Sequence, residues 1–199
     1  GDLIRAKALL KSAVRAFGAK EAMARARCIV AEAEIALISR DLAWPTKALE
    51  RARVTLEEHG DRANAAYARY LKARRLLLVG RLREAEEALA GLEYSSLAPA
   101  LRSGCELVSA GVAIRRLKAK DARAALARAD EAARIAAIPA LTAEVEAVAL
   151  VLDTPAARLI ADGQARALLL DEIEALLASD ALVVDACRLA ARRAAKIVP

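Results

Sequence analysis

The sequence predicts an all-α protein made of antiparallel helical hairpins that recur about every 40 residues. Three observations predict it: an alanine-rich composition, glycines spaced where helices should stop, and a repeating phase of small residues. The chain has 199 residues, 57% of them hydrophobic, and alanine supplies most of that excess. Only Phe17, Trp44, Tyr67, Tyr70 and Tyr94 are aromatic. Alanine is the strongest helix former and lets helices approach closely. Sheets draw instead on β-branched and aromatic residues.

The clearest copy of the repeat is LLVGRLREAEEALAGL, from Leu77 to Leu92. Gly80 permits a turn, acidic residues from Glu84 to Glu87 load the first turn of the next helix, and Ala85, Leu89 and Leu92 form its apolar stripe. The pair Ala85 and Leu89 has counterparts in Ala8 with Ser12, Ala48 with Ala52, Ala125 with Ala129, and Ala165 with Leu169. Successive first members lie 40, 37, 40 and 40 residues apart. Gly18, Gly60 and Gly91 end helices of this phase. A second set, Cys28, Ala68, Cys105 and Val145, falls at equivalent positions of the alternating helices, and small apolar residues there point to packing.

The expected helices are 2–17, 20–39, 45–59, 61–79, 82–91, 97–117, 121–137, 140–152, 155–162, 164–178 and 180–197. Asp61 and Asp180 suit helix N-caps, and Pro45 suits a first turn. Asp153-Thr154-Pro155 and Asp162-Gly163 interrupt the pattern. The expected organisation is therefore a hairpin array over 1–153, followed by irregular helices over 154–199 that cap the array or form the edge of a further domain. Gly1 in place of Met suggests a fragment or a tag scar.

Bulk properties exclude several classes. No stretch long enough to span a bilayer, about 20 residues, is free of charge, so a transmembrane helix is not expected. Three widely separated cysteines make neither a disulfide framework nor a zinc site and suit a reducing cytoplasm. Net charge is +6, which favours acidic partners such as nucleic acid. Many arginines nevertheless alternate with glutamates, as on a solvated helix face.

The stretch from Arg69 to Leu92 resembles a tetratricopeptide repeat (TPR). Ala73, Gly80, Ala85 and Leu89 stand where that family places its small residue, turn glycine, packing alanine and large apolar residue. Asp121 to Pro139 resembles a second repeat helix running into its closing proline. Lys72 departs from the pattern, and the period exceeds the family's 34 residues. The array looks more like the divergent superhelices of large bacterial transcription regulators. The resemblance implies a right-handed TPR-like superhelix, a solenoid whose concave groove receives a protein, a peptide or a small effector. It implies a non-enzymatic binding module, the regulatory part of such a regulator.

The end of the chain, Leu182 to Pro199, admits two readings. Val183, Ala186, Cys187, Ala190 and Ala194 follow helical spacing. The same residues resemble the opening β-hairpin of an OmpR-type winged-helix domain, with an apolar-x-x-Asp strand and a turn at Ala194-Ala195 that lacks the usual glycine. On that reading nucleic acid is bound by a separate domain.

Candidate sites follow from residue type. Trp44, Tyr67, Tyr70 and Arg74 are the candidate interaction surface, since Tyr67 and Tyr70 share a helix face. Arg75, Arg115, Arg116, Lys118 and Lys120 are a candidate basic edge, which supports direct nucleic-acid binding as the alternative function. His59, the sole histidine, sits in Glu57-Glu58-His59-Gly60-Asp61 and reads as a helix-end residue favourable to the dipole. A lone histidine offers no second imidazole for a metal. Acidic pairs such as Glu86-Glu87 read as solvated faces. No phosphate loop or nucleophile elbow is present, so no catalytic residue, metal or cofactor is expected. An enzyme with an unrecognised site is the remaining alternative.

Overall fold

The structure is a computed structural model that describes residues 2–18, 20–187, 189–193 and 196–198. The protein is all-α. In order, its helices are α1 (Leu3–Phe17), α2 (Ala22–Ile38), α3 (Thr46–Glu58), α4 (Arg62–Leu78), α5 (Leu82–Leu89), α6 (Pro99–Arg115), α7 (Ala119–Ala136), α8 (Pro139–Leu152) and α9 (Leu170–Ala178). Two small sheets accompany them. One is the hairpin of β1 (Ala157–Ala161) and β2 (Gln164–Leu168), and the other pairs β3 (Leu182–Asp185), β4 (Ala190–Arg193) and β5 (Lys196–Val198). Among the described residues no helix is long and apolar enough to cross a membrane.

The chain divides into two compact units, Gly1–Val108 and Ser109–Pro199. In the first, α1 packs on α2, α2 on α3 and α4, α3 on α4, and α4 on α5. In the second, α7 packs on α8 and on α9. The division falls within α6, and the change from helix to strand comes after Leu152.

Alanine forms the core as the repeat phase requires. Cys28, Ala68, Cys105 and Val145 are all buried, and so are Ala52, Ala85, Leu89, Ala125 and Ala129. The turns are left-handed. Gly60 has φ 77°, a region open to glycine at little steric cost. Its N–H reaches the Glu57 carbonyl and that of Asp61 reaches Leu56. Arg40, Leu117 and Ala137 reach positive φ without glycine, so a search for glycine finds only some of these turns. Asp61 caps α4 as expected: its carboxylate accepts the Asn64 backbone N–H at 3.2 Å and the Arg27 Nε–H at 2.6 Å. Burial pushes this carboxyl up, but the hydrogen bonds from Asn64 and Arg27 outweigh it and hold the group below the usual carboxylate range.

The expected C-terminal helices are corrected. Residues 155–162 and 164–168 are not helical but form a β-hairpin, with Ala161 paired to Gln164 across Asp162-Gly163. Both turn residues have positive φ, 50° and 75°. Asp-Gly is the pair that closes two-residue hairpins of this geometry, and it overrides the helical phase of Ala165. Ala165 is therefore an exposed strand residue and not a repeat position. The helix expected at 164–178 begins only at Leu170. The helix expected at 180–197 is also absent. Val183 and Val184 suit a strand, β3 pairs with β4 from Leu182–Arg193 to Asp185–Ala190, and the Asp185 carboxylate accepts the Cys187 N–H in the turn. Asp180 caps no helix. The Ala194-Ala195 turn lies outside the described residues.

Candidate functional site

The most chemically distinctive cluster of the first unit lies on α4. Tyr67 and Tyr70 are one helical turn apart, and their ring centroids are 5.7 Å from each other at a 30° tilt. The Arg74 guanidinium sits 6.0 Å from the Tyr70 ring and donates from Nη1 to the Tyr70 hydroxyl at 2.6 Å. Tyr70 is buried while Tyr67 and Arg74 are half-exposed, so the cluster has an anchored base and an accessible rim. The Glu34 carboxylate of α2 lies close enough to Tyr67 to influence its phenol. Burial, then the neighbouring Glu34 carboxylate, push the Tyr67 phenol above its ordinary pKa, so it stays neutral at physiological pH.

Two residues of this cluster are not among the sequence candidates. Glu34 lies in an ordinary helical stretch, and only its position opposite Tyr67 gives it a role. Gly104 of α6 abuts the hydroxyl end of the Tyr70 ring. A Cβ there would stand 2.9 Å from Cε2 and 3.1 Å from the hydroxyl oxygen. This glycine serves close approach, not a turn, and its place inside a helical run was the available hint. Trp44 is half-buried in the bend before α3. Among the described residues the ring contacts join Tyr67, Tyr70 and Arg74 but not Trp44.

The basic residues of α4 point to structural use. Arg75 donates to the Leu42 carbonyl at 3.0 and 2.5 Å. Arg69 donates to the Ala88 and Ala90 carbonyls at the end of α5. Lys72 pairs with Glu50 at 3.0 Å. Arg75 thus ties the α2–α3 loop to α4 and is half-buried, unlike the other residues of the candidate basic edge. Arg115, Arg116, Lys118 and Lys120 are exposed around the turn from α6 to α7. Lys118 pairs with Asp121 at 3.6 Å, and the Lys120 backbone N–H donates to Glu174.

Of the remaining singled-out groups, His59 ends a helix and two of the three cysteines are core residues. His59 caps the end of α3 and its Nδ1 lies 2.8 Å from the Thr55 carbonyl. Since a carbonyl only accepts, Nδ1 carries the proton. Cys28 and Cys105 are buried. Burial raises both thiols, Cys105 to about 12 with help from the Glu106 charge, which leaves little thiolate for chemistry at neutral pH. Cys187 is exposed in the β3–β4 turn. No group of three or more His, Cys, Asp or Glu among the described residues is arranged to hold a metal ion.

No known family model matches the chain. No curated protein and no solved structure matches it either.

Proposed function

We propose that the chain is a non-enzymatic helical-repeat module that binds a protein or peptide segment on the face shared by α2 and α4. The observation that carries this is the cluster of Glu34, Tyr67, Tyr70 and Arg74. It combines an aromatic platform, a cation and a carboxylate on two packed helices, with its base anchored and its rim accessible. Aromatic and arginine side chains of this kind dominate binding energy where they are held in place before the partner arrives. A small effector is the second occupant the same chemistry accepts.

A place in a bacterial transcription regulator rests on the tetratricopeptide-like resemblance. It is supported by the antiparallel pairing of β3 with β4, with Asp185 closing the first strand as the winged-helix resemblance expects. Direct nucleic-acid binding is supported by the exposed cations of the α6–α7 turn, whereas Arg69, Lys72 and Arg75 of α4 are tied to carbonyls or a carboxylate.

The test compares the full chain with a variant carrying Tyr67→Ala and Arg74→Glu. Affinity capture from cell extract, followed by measured affinity of each captured protein, should show binding weakened by more than about tenfold in the variant. Equal binding by both chains would overturn the reading. Salt-sensitive binding to duplex DNA that is lost when Arg116 and Lys120 become Glu would favour the nucleic-acid alternative.

A further inference from the structure

α1 in the first unit and α8 in the second expose faces that most of their repeat counterparts bury. In α3, α5 and α7 the repeat positions Ala52, Ala85, Leu89, Ala125 and Ala129 are buried, with Ala85 and Ala129 at 0% exposure, and Ala48, the counterpart of Ala8, is half-buried. The matching Ala8 and Ser12 of α1 are exposed, and α1 has no buried residue at all. Beside them Ile4 is 85% exposed. On the alternating helices the steps of 40, 37 and 40 residues that relate Cys28, Ala68, Cys105 and Val145 also relate Ala33, Ala73, Ala110 and Leu150. Ala33, Ala73 and Ala110 are buried, whereas Leu150 is 65% exposed. Along the same side of the helix, Ala143, Ala147 and Val151 of α8 are exposed with it. They adjoin a shallow apolar groove of about 220 Å³ lined by Ala147, Leu150, Val151, Thr154, Pro155 and Ala156.

Helix order says what would cover each face. α2 and α4 each pack on the helix that follows them, α3 and α5, which belong to the same phase set as α1. After α8 the chain turns into the β1–β2 hairpin, so no helix of that set follows it. Charge agrees with the phase. α1 carries Arg5, Lys7, Lys11 and Arg15 and no acidic residue, while α8 carries Glu144 and Glu146 and no basic one. Two copies of α1 would repel each other, and α1 against α8 would attract.

We propose that the chain associates head to tail with a second copy of itself, the α1 of one copy packing on the exposed face of α8 of the next. The contact adds the missing helix in repeat phase. It joins two different surfaces, so it is heterologous, and each added copy offers a new free end. A single helix-on-helix contact is small by interface standards, so self-association is expected at about tens to hundreds of micromolar.

Sedimentation velocity of the full chain across that range tests it. The weight-average mass should rise past that of a dimer and fall back at about 0.5 M salt, where exposed charges are screened. Ala8→Glu and Leu150→Glu each place a charge in the apolar contact. Each alone should raise the midpoint of assembly by more than about tenfold. Both positions are exposed, so an unchanged circular dichroism spectrum and melting temperature are expected and distinguish lost assembly from lost folding. Mixing the two variants is the sharper arm: each keeps one intact face, so together they should form a one-to-one complex that does not grow. A wild-type chain that stays monomeric, assembly that neither variant weakens, or a mixture that forms no complex would each overturn the proposal. So would a monomer whose α1 binds anionic phospholipid vesicles instead.

Discussion

Residues 22–89 and residues 157–193 differ in how much of their apolar surface is covered. In the first stretch helices lie against helices, and Leu56, Ala73 and Ala85 have no exposed surface. In the second, every residue of β1 and β2 except Leu159 and Leu168 is exposed, and Ile160, Leu182 and Val184 are each about 70% exposed. The first stretch draws its stability from contacts between distant residues. The hairpins rest on backbone pairing and turn geometry, and a two-stranded hairpin of that kind is marginal by itself.

The largest expected effect tests that contrast directly. Leu56→Ala removes a fully buried side chain between α3 and its neighbours, and it should cost about 3 kcal/mol of unfolding free energy. Ile160→Ala on β1 removes a similar volume from an exposed position and should stay within about 0.5 kcal/mol. Urea titrations of both variants check this. Comparable losses would mean that the hairpin is covered in solution.

Next in size is the close approach of α6 to Tyr70. Gly104→Leu forces a side chain into space the ring already fills, with an expected cost of about 1–3 kcal/mol. Combining it with Tyr70→Ala should recover part of that loss, because the ring is what stands in the way. Tyr70→Ala alone should also weaken partner binding at the α4 face. A Gly104→Leu chain as stable as wild type would show that the two helices separate easily.

A smaller effect attaches to the cap of α4. The Asp61 carboxyl is held below its ordinary value, so the folded chain binds its proton less tightly than the unfolded one. Its contribution is therefore complete above the unfolded pKa of about 3.9. It fades as pH falls through the lower folded value. Asp61→Ala should cost about 1 kcal/mol at neutral pH, measured by thermal unfolding. The gap between this variant and wild type should narrow near pH 2. A gap that stays constant with pH would mean that the charge on Asp61 contributes nothing.

The same contrast explains what could be read from the sequence. The helical body was legible because its signal repeats: the set Cys28, Ala68, Cys105 and Val145 marks buried positions only when the members are taken together. The hairpins carry no such redundancy. Ala165 continued the alanine phase by coincidence, and Asp162-Gly163, a two-residue signal, decided the local fold against it. In a chain so rich in alanine, small-residue phase alone separates helix from strand poorly. Of the candidate site, Tyr67, Tyr70 and Arg74 were found because they share one helix face. Glu34 and Gly104 were missed because their importance lies in packing between helices, and the tie that Arg75 makes was not visible because its carbonyl partner lies 33 residues away.

The smallest expected effect concerns the helix between the two sheets. Arg123 of α7 pairs with Asp171 at 2.5 Å and with Asp153 at 3.6 Å, and Glu174 accepts the Lys120 N–H at the start of α7. The Arg123 and Asp171 side chains are both close to half-exposed, so water and salt screen their attraction. Leu170 and Ile173 of α9 are buried and supply the larger share of its hold. Arg123→Met should therefore cost about 0.5 kcal/mol at low salt and less at high salt. Ile173→Ala should cost more than about 2 kcal/mol. Hydrogen exchange of the α9 amides reads both without requiring global unfolding. If Arg123→Met opens α9 more than Ile173→Ala does, the segment after Leu152 is held by charge, and its attachment would then respond to ionic strength in a way that the buried alanines of residues 22–89 do not.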